Sequence, residues 1–319
     1  MTMLDPAPVR ARLSRCPVHA PTPLRRQMPG GRPLWIKDER ARMGLGSFKA
    51  LGGAYAALRL IEARGRVDVT FVTASAGNHG LSVAAGARVF GAMARIHIAR
   101  TVSEDFADRL RAEGAEVVRS GEAYEASVAA AIADAEATGA IHLADGSWPG
   151  YTEPPQLVME GYTVIAEELR EAFEAAGPRP DAWPDVVYLQ AGVGGLAAAM
   201  AARIRAAWSV QPRIVVIEPE AAPCLRESMR AGRIITVDGP VSEMGRLDCK
   251  TPSLLAFDIL RETADAFETV SEAEAAAAVD LIAAEGLATT PSGAAGVAGW
   301  MRMGGERPLA ILSEGPVDG

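Results

Sequence analysis

Lysine is close to absent from this chain. Of 32 basic residues only Lys37, Lys49 and Lys250 are lysines, and the other 29 are arginines. Guanidinium supplies almost every cation here, yet it cannot replace an amine in imine chemistry, so each remaining lysine is worth inspecting. Cysteine and histidine are scarce too. Cys16, Cys224 and Cys249 are far apart and odd in number, which excludes a disulfide frame and fits reduced thiols in a cytoplasmic protein. His19, His79, His97 and His142 are equally scattered, so no metal site is expected. No apolar run reaches the roughly 20 residues of a membrane span, and the N-terminal residues lack a signal-peptide core. A net charge of −8 argues against a nucleic-acid-binding surface or an anionic membrane as partner. It leaves room for a local anion site built from backbone amides.

What is present is an ordinary globular composition, 49% hydrophobic and 23% charged over 319 residues. That length holds one large or two modest domains. Strand and helix patterns alternate over most of it. Strands are expected at 34–37, 69–73, 95–99, 116–119, 141–144, 186–190, 214–217 and 309–312. Helices are expected after Lys49 and at 78–90, 103–113, 122–138, 153–176, 195–208, 222–231, 253–263, 272–285 and 293–303. A polar, proline-rich link is expected at 178–184. Such alternation predicts an α/β fold with mostly parallel sheets and helices on both faces. The rhythm breaks at Trp148, Pro149, Gly150, Tyr151, Pro154 and Pro155. This predicts a small lobe, residues 71–152, carried by a larger one, residues 1–70 and 153–319, with a ligand cleft between them.

Three stretches carry chemistry. In Gly46-Ser47-Phe48-Lys49-Ala50-Leu51, Ser47 reads as a helix N-cap. Leu51, Ala54, Tyr55 and Leu58 recur at helical spacing, and Gly65 is the stop. Lys49 therefore falls in the first turn, at the positive end of the helix dipole. Dipole and desolvation together favour a neutral amine, which is a nucleophile towards aldehydes. The second stretch, Ala191-Gly192-Val193-Gly194-Gly195-Leu196-Ala197, joins an apolar strand to an alanine-rich helix. Its glycines let the amides curl towards an anion, with phosphate the natural ligand. It also matches a dinucleotide fingerprint, Gly192-x-Gly194-x-x-Ala197, with Glu218 placed to meet ribose hydroxyls, so an NAD-linked oxidoreductase is the rival reading. In the third, Thr73-Ala74-Ser75-Ala76-Gly77-Asn78-His79-Gly80, a small hydroxyl, a glycine and free amides suit a carboxylate. His79 can cap or pack there.

Ser47-Phe48-Lys49, Ser75-Ala76-Gly77-Asn78-His79 and Gly192-Val193-Gly194-Gly195-Leu196 together resemble the fold-type-II pyridoxal-phosphate enzymes, such as threonine dehydratase and tryptophan synthase β. The chain is more closely similar to the diaminopropionate ammonia-lyase family. That similarity is carried by Gly46 to Tyr55, Ser147-Trp148-Pro149-Gly150-Tyr151, Met159-Glu160-Gly161-Tyr162, Glu218-Pro219, Cys224-Leu225, Leu247-Asp248-Cys249 and Leu312-Ser313-Glu314-Gly315. It implies a tryptophan synthase β-like fold, two lobes each with a twisted, mostly parallel sheet, and pyridoxal 5'-phosphate as cofactor. By the same resemblance, Lys49 is the Schiff-base lysine, and Asn78 contacts the cofactor's phenolic oxygen. The amides of Gly192, Val193, Gly194, Gly195 and Leu196 hold the phosphate, and Ser313 faces the pyridine nitrogen. Ser75, Ala76, Gly77 and Asn78 bind the carboxylate of a small amino-acid substrate. A neutral serine at the ring nitrogen does not enforce its protonation, which suits expulsion of a β-substituent over transamination. The implied chemistry is transimination, α-proton removal and loss of the β-group, then hydrolysis of released aminoacrylate to a keto acid and ammonia. The family suggests a homodimer.

One position departs from the family pattern. Ala76 stands where the family has an aspartate that serves one substrate enantiomer. Asp145, which otherwise reads as an Asp-Gly turn, matches the carboxylate associated with the L-enantiomer, and L-selectivity is the expectation. Ser75 to His79 also resembles threonine dehydratases, so an L-serine/threonine-type dehydratase is the alternative.

Overall fold

The computed structural model describes residues 4–177 and 180–316. In chain order its helices are α1 (Ala7–Leu13), α2 (Lys49–Arg64), α3 (Asn78–Val89), α4 (Glu104–Ala112), α5 (Tyr124–Thr138), α6 (Glu153–Ala175), α7 (Gly195–Ala207), α8 (Cys224–Ala231), α9 (Leu254–Thr263), α10 (Glu272–Ala283) and α11 (Pro291–Met303). The strands are β1 (Leu24–Gln27), β2 (Leu34–Asp38), β3 (Thr70–Ala74), β4 (Met93–Ile98), β5 (Glu116–Arg119), β6 (Ile141–His142), β7 (Val186–Gln190), β8 (Arg213–Pro219), β9 (Ala266–Val270) and β10 (Pro308–Leu312). They form two sheets, in the spatial orders β1-β2-β10-β7-β8-β9 and β5-β4-β3-β6. Every pairing is parallel except β1 with β2. This is the α/β architecture of mostly parallel sheets that the strand–helix alternation predicts.

The central strands read as unbroken apolar runs because both their faces are covered. All five residues of β7 and of β10 are buried. Helix α7 is buried from Gly195 to Ala202, as its alanine-rich sequence, apolar on all sides, requires. Glycines bring α2, α3 and α6 into backbone contact beneath the site. A Cβ on Gly52 would stand 2.5 Å from Cε1 of Tyr162, and one on Gly161 would stand 2.7 Å from Cα of Gly52. A Cβ on Gly53 would collide with Ser82. Gly52→Ala is therefore expected to cost about 1–3 kcal/mol, seen as a lower urea midpoint at an unchanged slope. An unchanged midpoint would contradict this packing.

Several expectations shift. Ser47 does not cap α2: Phe48 holds the cap position with no side-chain cap bond. Ser47 instead forms an antiparallel bridge with Glu314, and Phe48 N–H donates to Ser313 O at 3.1 Å. Main-chain pairing to the end of β10 takes the place of the cap. Gly65 ends α2 in the left-handed conformation, as expected. Only two residues of the expected 141–144 strand pair. The sequence patterns did not reveal α1, β1 or the half-buried edge strand β9. Of the expected link, residues 178 and 179 lie outside the described residues, and Pro180–Ala182 is a 3₁₀ turn. Among the described residues no helix is long and apolar enough to cross a membrane.

Candidate active site

Four strands, β3, β6, β7 and β10, deliver their C-terminal loops to the region around Lys49, the position where open α/β sheets bind ligands. Lys49 is the first residue of α2, held there by the Ser47–Glu314 bridge. Its Nζ is ion-paired and hydrogen-bonded to the Asp145 carboxylate, and both side chains are about one-fifth exposed (21% and 22%). Burial by itself would push the amine down, but the Asp145 charge and hydrogen bond, together with Tyr162, hold its pKa above the ordinary lysine value. Burial likewise pushes the Asp145 carboxyl up, and Lys49 outweighs it, leaving the carboxyl well below the usual range. The sequence led us to expect a neutral amine; the structure holds an ammonium, because a full opposite charge in contact exceeds the helix dipole.

The loop carrying Asp145 is fastened on two sides. Tyr151 Oη donates to His142 O at 2.8 Å and accepts from Ala144 N–H at 3.0 Å, while the Trp148 and Tyr151 rings stack 4.3 Å apart. Ser147 N–H donates to Ser253 Oγ at 3.1 Å, and Ser147 Oγ accepts from Leu255 N–H at 2.9 Å, which ties the loop to the start of α9. Asp145 is therefore more than a turn residue.

Between β7 and α7, Gly194 adopts φ +98° and the helix begins at Gly195. Ala198 N–H makes the bond to Gly194 O, so the amides of Gly195, Leu196 and Ala197 have no intrahelical partner. They form an anion cradle at the positive end of a 13-residue helix. Val193 O accepts from Ser253 N–H. A side chain at Gly192 would stand 3.0 Å from Cys249 Sγ and 3.1 Å from Arg246 O. Burial pushes the Cys249 thiol up to about 12 and raises that of Cys224 as well, so both stay protonated.

The third loop is organised by Ser75. Its Oγ accepts from Gly77 N–H at 3.2 Å and from Gly80 N–H at 3.0 Å, so the hydroxyl shapes the turn into α3. Asn78 Nδ2 donates to the Glu314 carboxylate, and Ala76 O accepts from Arg246 Nη1 at 2.8 Å. His79 packs: its Nε2 donates to Leu143 O at 2.8 Å, and burial lowers its pKa. Ser313 is buried at the end of β10.

Tyr162, Arg246 and Glu314 belong to this site and were not singled out for it by sequence. Tyr162 is buried and its hydroxyl has no hydrogen-bond partner. The ring centroid lies 5.9 Å from Lys49 Nζ, and a Cβ on Gly195 would be 3.8 Å from Cε2. The Tyr162 ring therefore lies close to both the amine and the glycine loop. Glu218 settles the dinucleotide alternative. It is fully buried and accepts from Leu225 N–H and Arg226 N–H, both at 2.7 Å, at the start of α8. Buried beneath the start of α8, that carboxyl is out of reach of ribose hydroxyls.

An amine at a helix start and amides arrayed for a dianion fit pyridoxal phosphate, whose aldehyde and phosphate need those groups, with the buried Tyr162 hydroxyl left without a protein partner beside them. The family model described as "Pyridoxal-phosphate dependent enzyme" matches residues 16–310, and the chain belongs to that family. Pyridoxal 5'-phosphate is its cofactor. The chain is 31% identical over 265 residues to the diaminopropionate ammonia-lyase of Escherichia coli (strain K12), covering 77% of this chain and 66% of that relative. The structure resembles the E. coli diaminopropionate ammonia lyase in complex with an aminoacrylate–PLP azomethine reaction intermediate, with a TM-score of 0.86 at 26% identity over 100% of this chain and 91% of that one. It also resembles the T.th. threonine deaminase, with a TM-score of 0.87 at 28% identity over 100% and 99% of the two chains.

Proposed function

We propose that this protein is a pyridoxal-phosphate-dependent lyase that catalyses β-elimination on a small, β-substituted, diaminopropionate-like amino acid, giving a keto acid and ammonia. The observation that carries the reading is the Lys49–Asp145 pair beside the glycine loop: an amine for the cofactor's aldehyde and a carboxylate within reach of the same point.

Bound here, the cofactor supplies an aldehyde for amine condensation and an electron-withdrawing ring that stabilises negative charge at Cα. Lys49 Nζ is the anchoring amine. The Asp145 carboxylate, hydrogen-bonded to that amine, would hold it in position and balance its charge until the cofactor is bound. The amides of Gly192 to Leu196 hold the phosphate at the end of α7. Asn78 would hold the cofactor's phenolic oxygen and Ser313 its ring nitrogen. The turn of Ser75, Ala76, Gly77 and Asn78 takes the α-carboxylate. Asp145 moves the α-proton of an L-substrate. Residues 71–152 make a small lobe carried by a larger one of residues 1–70 and 153–319, with the ligand in the cleft between them. The reading extends to a cytoplasmic homodimer; a single-chain mass in sedimentation velocity would sink the dimer.

An L-serine/threonine-type dehydratase is a second reading. It is favoured by the absence of a carboxylate at Ala76 and by the near-complete mutual coverage with threonine deaminase. A keto-acid assay with L- and D-diaminopropionate, L-serine and L-threonine separates the two. The expected result is turnover of L-diaminopropionate at least about tenfold faster than of the D-form, since one placed base serves one face of Cα. Comparable rates for both enantiomers would overturn the assignment of Asp145.

A further inference from the structure

Arg246 joins two parts of the site that the sequence keeps apart. Its carbonyl oxygen lies 3.1 Å from where a Cβ on Gly192 would stand, so its backbone borders the proposed phosphate loop. Its guanidinium reaches the Ser75–Asn78 turn, donating from Nη1 to Ala76 O at 2.8 Å. A Cβ on Gly77 would meet Nη1 at 3.2 Å and Cζ at 3.4 Å, so the guanidinium lies against that turn.

The side chain is 32% exposed and under-bonded. Of five N–H donors, among the described residues only Nη1 makes a hydrogen bond to the protein. The facing carboxylate is Glu314, whose Oε2 stands 3.8 Å from Arg246 Nε. Glu314 is already committed, accepting from Asn78 Nδ2 at Oε2 and from Thr290 Oγ1 at Oε1. Ala76, the residue that Arg246 touches, carries no charge to meet it. Arg42 shows the opposite case: it is fully buried, and Nε, Nη1 and Nη2 are all hydrogen-bonded. A planar, charged fork with open donors, beside the turn that takes one carboxylate, suits a second one.

Resting on the lyase reading above, we propose that Arg246 is a specificity-determining residue that receives a carboxylate carried on the substrate's Cβ, so that among β-hydroxylated amino acids the dicarboxylic ones of the 3-hydroxyaspartate type are preferred. The balance closes without any oxidant or reductant. The Cα–H and Cβ–O bonds break, the proton leaves to a base and hydroxide departs as water. The enamine then tautomerises to an imine, and one water hydrolyses it. The net change is hydroxyaspartate to a 2-oxo dicarboxylate and ammonia.

The test compares holoenzyme turnover of L-3-hydroxyaspartate diastereomers and L-serine by the wild type, Arg246→Gln and Arg246→Lys. The expected result is a preference of about tenfold or more for hydroxyaspartate in wild-type kcat/KM. Arg246→Gln should reduce the hydroxyaspartate-to-serine ratio by about 30- to 100-fold, the worth of a hydrogen bond to a charged group. The change should lie mainly in KM, and Arg246→Lys should restore part of it. Binding is read separately by the rise in melting temperature with succinate against propionate; the succinate increment should vanish in Arg246→Gln. Serine turnover without hydroxyaspartate turnover would overturn the proposal and leave the lyase standing. Equal loss on both substrates would also overturn it, marking Arg246 as an α-carboxylate or structural contact. Turnover of L-diaminopropionate but of neither of these two would also overturn the proposal and leave the lyase standing. Turnover of none of the three, with Arg246-dependent succinate binding intact, would sink the lyase reading and support the second-carboxylate site.

Discussion

Lys49→Ala is expected to abolish both covalent retention of pyridoxal phosphate and turnover, lowering kcat by at least about 10⁴-fold. Two losses combine in that figure: the amine that condenses with the aldehyde, and the cation that orients Asp145. The visible absorbance of the attached cofactor should be missing from the purified variant. Lys49→Arg should behave the same way, because it keeps the charge but cannot form the C=N bond. That second variant separates chemistry from electrostatics. Retained visible absorbance in either protein would move the anchoring role to Lys37 or Lys250. The structure speaks against both: Lys37 is buried in an ion pair with Glu168, and Lys250 bonds Ala221 O, Pro240 O and Asp248.

Asp145→Asn is expected to lower kcat by roughly 10²- to 10³-fold while changing KM only a few-fold, the size of a lost general base. The asparagine keeps the shape and the loop, which Ser147, Ser253 and Tyr151 hold independently. A loss confined to KM would make Asp145 a binding group. The same variant has a stability signature in the cofactor-free protein. The Asp145 carboxyl is depressed and the Lys49 amine raised, so each charged form is favoured by folding. A depressed acid contributes fully above its unfolded value near ~4 and loses that contribution as pH falls further. A raised amine contributes fully below its unfolded value near ~10.4. The stability gap between wild type and Asp145→Asn should therefore be about 1–3 kcal/mol, level from pH 5 to 9, and should shrink below pH 4. A gap that widens on acidification would contradict the ion pair.

Each local motif was legible because it is a strand, a turn and a helix start within about a dozen positions. Ser75 to Asn78 and Gly192 to Leu196 lie at strand-to-helix turns, and Lys49 begins α2, as their patterns implied. Neighbours that meet only after folding left no such trace. Arg246 touches Ala76 across 170 positions, and Asn78 meets Glu314 across 236. Nothing in the sequence separates Arg246 from the other arginines. Tyr162 was visible only as part of a family-like run, because its orphaned hydroxyl depends on the close approach of Gly52 and Gly161. The Ser47 cap failed because a local preference worth about 1 kcal/mol yielded to main-chain pairing with the end of β10.

The amino-acid order by itself determined the layered α/β architecture and the rare amine at a helix start, since periodicity and turn chemistry act over a few residues. The charge on that amine was decided by the tertiary structure alone. It depends on burial and on a carboxylate 96 positions away, and electrostatic energy follows distance in space, to which separation along the chain is no guide.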